Sequence, residues 1–155
     1  MWFVRLVAVV VNPRQRMKMK NILVLCTGNS CRSQMAEGYL NHFAKGGAKV
    51  YSAGIETHGL NPKAIEVMKK DAIVISSNTS NHIDEYRHID FDYLITVCDH
   101  AKENCPYFPT KALKIHQNFP DPAKAKGTEA EIEQQFILVR DMIKTFAKAF
   151  AAKHL

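Results

Sequence analysis

Between residues 22 and 40 the chain reads Ile22-Leu23-Val24-Leu25-Cys26-Thr27-Gly28-Asn29-Ser30-Cys31-Arg32-Ser33-Gln34-Met35-Ala36-Glu37-Gly38-Tyr39-Leu40. The apolar run at 22–25 reads as a short buried strand, and 34–40 carries apolar residues at helical spacing. A strand, a polar loop and a helix in that order turn successive backbone N–H groups and the helix N-terminus toward one point, a seat for a tetrahedral oxyanion. Thr27, Gly28, Asn29, Ser30, Cys31 and Arg32 are the expected oxyanion-binding residues. The planar guanidinium of Arg32 can clamp two oxyanion oxygens at once. Cys26 then faces the arginine, the amides and the helix dipole. Such surroundings lower a thiol pKa from about 8.5 toward roughly 3.5–7.5 and give a nucleophilic thiolate. Ser33 is placed to donate its hydroxyl to that thiolate, and Gly28 to supply a positive φ.

Working outward, Val50-Tyr51-Ser52-Ala53-Gly54 reads as a second strand, Phe91–Val97 as a third and Leu113-Lys114-Ile115-His116 as a fourth. Ala72-Ile73-Val74-Ile75 is a further short apolar run, and Ile83–His88 reads as a brief helix. Asn61-Pro62 starts a helix with a cap residue and proline at the first helical position. Thr128 with Glu131 makes a capping box for the last helix. Ile132, Phe136, Val139, Met142, Ile143, Phe146 and Phe150 trace its buried face. Strands alternating with helices predict an α/β three-layer sandwich: a four-stranded parallel open sheet with helices on both faces. Ligands of such sheets bind beyond the carboxyl ends of the strands. Cys26, Cys98 and Asp121 all fall at or just after such ends, so one rim holds all three.

The length of 155 residues suits one domain with a sizeable core, assigned to residues 20–155. Residues 1–19 are an N-terminal extension, a disordered tail or an upstream start-site artefact. Its apolar part is too short to span a bilayer, and no small-residue cleavage site follows it. Four cysteines are too few for a disulfide-rich secreted scaffold and lack zinc-ligand spacing. Free thiols place the protein in a reducing compartment, the cytoplasm. The net charge of +6 comes from scattered lysines with no basic run interleaved with aromatics, which fits small anions rather than nucleic acid. No membrane partner and no metal site are expected, and the chain is read as a monomer.

An oxyanion held over Cys26 loses an oxygen when the sulfur attacks, and Asp121, set between Pro120 and Pro122, is placed as the general acid. A phosphatase needs one thiol and a water. Cys98 and Cys105 are extra, which points to electrons supplied by the protein itself. On a helix, seven residues separate two thiols by roughly 10 Å, whereas a disulfide needs Cα atoms about 4.4–6.8 Å apart. The segment Asp99–Tyr107 is therefore expected to unwind when the pair oxidises.

Three motifs in order resemble a known family, the thioredoxin-coupled arsenate reductases, which share the low-molecular-weight protein tyrosine phosphatase fold. They are Cys26 through Gly38, Val97-Cys98-Asp99 through Asn104-Cys105-Pro106, and Phe119-Pro120-Asp121-Pro122-Ala123-Lys124-Ala125. The match runs from about Lys20 to about Lys148. The resemblance implies that Cys26, Cys98, Cys105, Arg32, Asp121 and Ser33 are catalytic. Cys26 attacks arsenate, Cys98 attacks Cys26 and releases arsenite, Cys105 attacks Cys98, and thioredoxin reduces the final disulfide. Cys31 lies outside the relay. No bound cofactor is implied, and glutaredoxin is the less favoured donor. Asn29, Glu37 and Ser52 match side chains of a potassium site in some relatives. Asn81 stands where those relatives carry Asp, which weakens a hard-cation site. The alternative is a phosphatase of the same fold using Cys26, Arg32 and Asp121 alone. Ala123 and Lys124 then stand where the phosphatases carry an aromatic residue. A third reading is a redox sensor that binds phosphate passively.

Overall fold

The computed structural model describes residues 18–98, 108 and 110–155. Four strands, β1 (Lys20–Cys26), β2 (Ala48–Gly54), β3 (Tyr93–Thr96) and β4 (Leu113–His116), form one sheet in the order β2-β1-β3-β4. All pairings are parallel. The α-helices are α1 (Arg32–Ala44), α2 (Pro62–Lys70) and α3 (Glu129–His154). The expected α/β fold with a four-stranded parallel sheet is the one observed.

β1 is central, and Ile22, Leu23, Val24 and Leu25 have no exposure on either face. An unbroken apolar run is what a parallel strand covered on both sides requires. Ile22 and Val24 meet α1, α2 and α3 through Met35, Leu40, Val67, Phe136 and Ile143. Leu23 and Leu25 turn to the other face, against Ile83, Phe91 and Phe108. Among the described residues that second face carries a 3₁₀ turn, Ile83–Tyr86, rather than an α-helix. So the two-sided cover is unequal.

Both cap readings hold. The Asn61 side chain accepts from the N–H groups of Lys63 and Ala64, and Thr128 accepts from Glu131 N–H. One packing reading needs correcting. Met142 is 41% exposed, and Ala147 takes its place on the buried stripe of α3. The apolar run at 72–75 follows a positive φ of 61° at Ala72; Val74 stays outside, Ile75 is buried and Ile73 packs partly buried against the core.

Gly54 closes β2 beside Cys26. A Cβ there would lie 2.3 Å from Glu56 O, 2.7 Å from Thr27 O and 2.8 Å from Asn29 N, all backbone atoms that cannot turn aside. Gly54→Ala is expected to destabilise the fold by about 2–4 kcal/mol, read from urea unfolding. A loss under about 0.5 kcal/mol would mean the loop has slack. No helix among the described residues is long and apolar enough to cross a membrane.

Candidate functional site

The loop between β1 and α1 bends through Asn29, which holds a left-handed φ of 47° while fully buried. Gly28 does not supply the positive φ expected of it. Its missing side chain matters for another reason: a Cβ on Gly28 would meet the His58 ring at 2.5 Å.

Side-chain hydrogen bonds hold the Asn29 conformation. Asn29 Nδ2 donates to Ser33 Oγ and Ser52 Oγ at 2.9 Å each, and Asn29 Oδ1 accepts from Asn81 N at 2.7 Å. Gln34 Nε2 donates to Asn29 O at 3.1 Å. Ser33 thus anchors the loop. Accepting from Asn29 leaves the Ser33 hydroxyl hydrogen free to donate, and the Thr27 backbone N–H supplies a hydrogen bond that favours a Cys26 thiolate. Cys31, the N-cap of α1, makes no side-chain cap hydrogen bond, so the first amides of α1 have no side-chain cap.

Arg32 enters the site from the start of α1, only 12% exposed. Its Nη1 donates to Phe119 O at 3.0 Å, and its Nη2 lies 3.6 Å from Asp121 Oδ2. Arg32 Nε is buried with no hydrogen-bond partner. A buried guanidinium N–H left open is costly unless something accepts from it. An oxyanion over the loop would.

Asp121 arrives after β4. Phe119 N–H donates to Val97 O at 3.1 Å, and the Phe119 ring packs edge-on against Phe146. Asp121 then caps the 3₁₀ turn Pro122–Lys124, its Oδ1 accepting from Ala123 N at 3.0 Å. One cavity of about 660 Å³ holds Cys26, Thr27, Gly28, Ser30, Cys31, Arg32, Cys98 and Asp121. His58, Asn118 and Lys124 also line it.

Cys98 lies beside Cys26. Parallel pairing of Leu25 with Thr96 sets positions 27 and 98 level, and Thr27 Oγ1 is 3.3 Å from Cys98 Sγ. The Cys98 thiol also hydrogen-bonds with Cys26. That contact comes first among the influences that push the Cys26 thiol well above its ordinary range, and burial comes next. Arg32 and the Thr27 N–H pull the other way without overcoming them. That direction runs against the thiolate expected from the loop and Arg32: contact between two buried sulfurs favours the Cys26 thiol. Burial with Asp121 nearby pushes the Cys31 thiol up to about 12. Cys105 and the segment Asp99–Tyr107 lie outside the described residues, as do residues 1–17 of the extension.

The residues matched to a potassium site are tied to one another and to their neighbours by hydrogen bonds. Ser52 Oγ donates to Glu37 Oε2 at 2.8 Å, and Asn78 Nδ2 donates to the same oxygen at 3.2 Å. Asn29 Oδ1 is taken by Asn81 N, and Asn81 Oδ1 accepts from Thr79. Each of these oxygens accepts a hydrogen bond from a protein donor. Burial pushes Glu37 up from 4.5 to about 7, against the Ser52 hydrogen bond. A carboxyl raised on folding stabilises the fold below pH 4.5, and that contribution is lost as pH rises through 7. The loss is of order 3 kcal/mol by pH 8. Glu37→Gln should flatten stability against pH across that window in urea titrations. An unchanged slope would refute this assignment.

Sequence reasoning missed Thr27 as a partner of Cys98, and it missed His58, Gln34 and Asn78. Their roles come from contacts between distant segments, for which no local spacing gives a signal.

Residues 21–155 match the family described as low molecular weight phosphotyrosine protein phosphatase. An arsenate reductase of Halalkalibacterium halodurans is 47% identical over 135 residues, covering 87% of this chain and 97% of that protein. An arsenate reductase of Bacillus subtilis is 48% identical over 135 residues, with the same coverage of each. A solved arsenate reductase in the oxidized state is 30% identical, with a TM-score of 0.73 over 87% of this chain and 98% of that one.

Proposed function

The chain belongs to the low molecular weight phosphotyrosine protein phosphatase family, and from that premise we propose that it is an enzyme that reduces arsenate to arsenite through its own thiols. The observation that carries this reading is the second thiol: Cys98 hydrogen-bonds with Cys26 in the cavity where Arg32 Nε lacks an acceptor. Phosphate ester hydrolysis has no use for a thiol there. Electron transfer to arsenic requires one.

The steps balance. Arsenate as its hydrogen dianion sits on the loop amides and Arg32. Cys26 sulfur attacks arsenic, and the arsenic hydroxyl leaves as water. Asp121 delivers the proton to that oxygen, taking it from the Cys26 thiol as the sulfur attacks. Cys98 sulfur then attacks Cys26 sulfur. The sulfur–arsenic bond breaks with both electrons staying on arsenic, the Cys98 proton passes to an arsenic-bound oxygen, arsenite leaves, and a Cys26–Cys98 disulfide remains. Cys105 attacks Cys98 and regenerates the Cys26 thiol. Thioredoxin reduces the Cys98–Cys105 disulfide, with glutaredoxin the less favoured donor.

In this reading residues 20–155 are the catalytic unit, and residues 1–19 are an extension it does not need. The match over 21–155 supports that division. The enzyme works as a cytoplasmic monomer with no bound cofactor, nucleic acid or membrane. Arsenate with thioredoxin, thioredoxin reductase and NADPH tests the whole reading. Steady NADPH oxidation that depends on arsenate is the expected result. None above the rate without the protein would sink it.

A further inference from the structure

His58 lines the oxyanion cavity from a segment zipped onto the loop by three backbone hydrogen bonds. Glu56 N donates to Thr27 O, His58 N to Gly28 O and Asn61 N to Ser30 O, each at 3.0 Å. The imidazole lies close over Gly28, where a Cβ would meet its Nδ1 at 2.5 Å and push the ring aside. Glu56 fixes which edge of the ring does what. Glu56 Oε2 is 2.8 Å from His58 Nε2, and a carboxylate can only accept, so Nε2–H donates. In the neutral ring Nδ1 is then an acceptor. Nδ1 is the ring atom nearest Gly28, and it has no hydrogen-bond partner among the described residues.

Arg32 and Lys124 line this cavity as cationic donors, beside the hydroxyls of Thr27 and Ser30 and the Asn118 amide. Asp121 is an acceptor already engaged by Arg32 and Ala123 N. We propose that His58, oriented by Glu56, is a specificity-determining acceptor at the cavity mouth that favours oxyanions bearing a hydroxyl over sulfate. This rests on the site being an oxyanion site that takes arsenate. Near neutral pH hydrogen arsenate and hydrogen phosphate each carry an O–H that Nδ1 can accept. Sulfate carries none, so its oxygen would face a nitrogen lone pair. A site built to accept from a ligand hydroxyl rejects the analogue that lacks it. His58 is about half exposed, at 57%, so water softens the discrimination.

The test uses phosphate and sulfate, neither of which is reduced, with binding to the full chain followed by calorimetry near neutral pH. The wild type should bind phosphate more tightly than sulfate. His58→Phe, which keeps a ring without an acceptor, should lower that preference by about tenfold, the effect of one hydrogen bond. His58→Asn, whose amide carbonyl can accept, should restore part of it. For arsenate, KM should rise in His58→Phe while kcat stays within about twofold. Should the phenylalanine variant misfold, His58→Ala reads the same preference. An equal preference in wild type and acceptor-free variants overturns the proposal and leaves the arsenate reading standing. Binding of neither anion by the wild type overturns both.

Discussion

Cys98→Ser should leave an enzyme that attacks arsenate once and releases no arsenite. Steady-state reduction is expected to fall by about 10³-fold or more, because the relay loses the thiol that takes over the Cys26–arsenic bond. Loss of Cys98 would also follow from any general damage, so two further readouts matter. Hydrolysis of p-nitrophenyl phosphate, which calls on Cys26, Arg32 and Asp121 alone, should survive within about threefold if the wild type shows it. The Cys26 thiol should titrate at lower pH than in the wild type, because its contact with Cys98 is the largest influence raising it. Burial still acts on Cys26, while Arg32 and the Thr27 N–H still favour the thiolate. Repeated arsenate turnover by Cys98→Ser would refute the order of attack. An unmoved Cys26 titration would refute the account of its protonation.

Arg32→Lys should lower kcat/KM for arsenate by about 10²–10³-fold, the range for removing a preorganised donor from an oxyanion site. The charge is kept, so the loss isolates the fork geometry. Two contacts vanish with the guanidinium: the Nη1 bond to Phe119 O and the approach of Nη2 to Asp121. Both tie the acid loop to the oxyanion loop. The lysine variant should therefore also show faster amide exchange across residues 118–124. Exchange at the wild-type rate, with kcat/KM within about threefold of wild type, would mean that Arg32 is neither the clamp nor the tether.

Much of the site was legible because the relevant residues are adjacent. Cys26 through Arg32 occupy one loop, and a buried strand followed by a helix places them whatever the rest of the chain does. The caps at Asn61 and Thr128 were legible for the same reason, since a cap reaches only two or three residues along. Met142 was misplaced because helical periodicity defines a stripe but not how wide the opposing surface is. The tie between Ser33 and Asn29 was not legible, because it depends on the left-handed backbone at Asn29 that brings the amide onto the Ser33 oxygen.

By itself the sequence determined the parallel sheet, the oxyanion loop with Cys26 and Arg32, and the rim on which Cys98 and Asp121 would arrive. Each of these rests on local pattern: a run that must be buried on two faces, a loop that must turn, a helix that must start. Only the tertiary structure decided how the rim is wired. The Thr27–Cys98 contact spans 71 residues, and the Arg32–Phe119 bond spans 87. Both follow from strand register and from Phe119 seating against Phe146, which no local spacing encodes. The protonation of Cys26 belongs to this second group, because a thiol responds to whatever charge and burial the fold brings to it, and here the fold brings another sulfur.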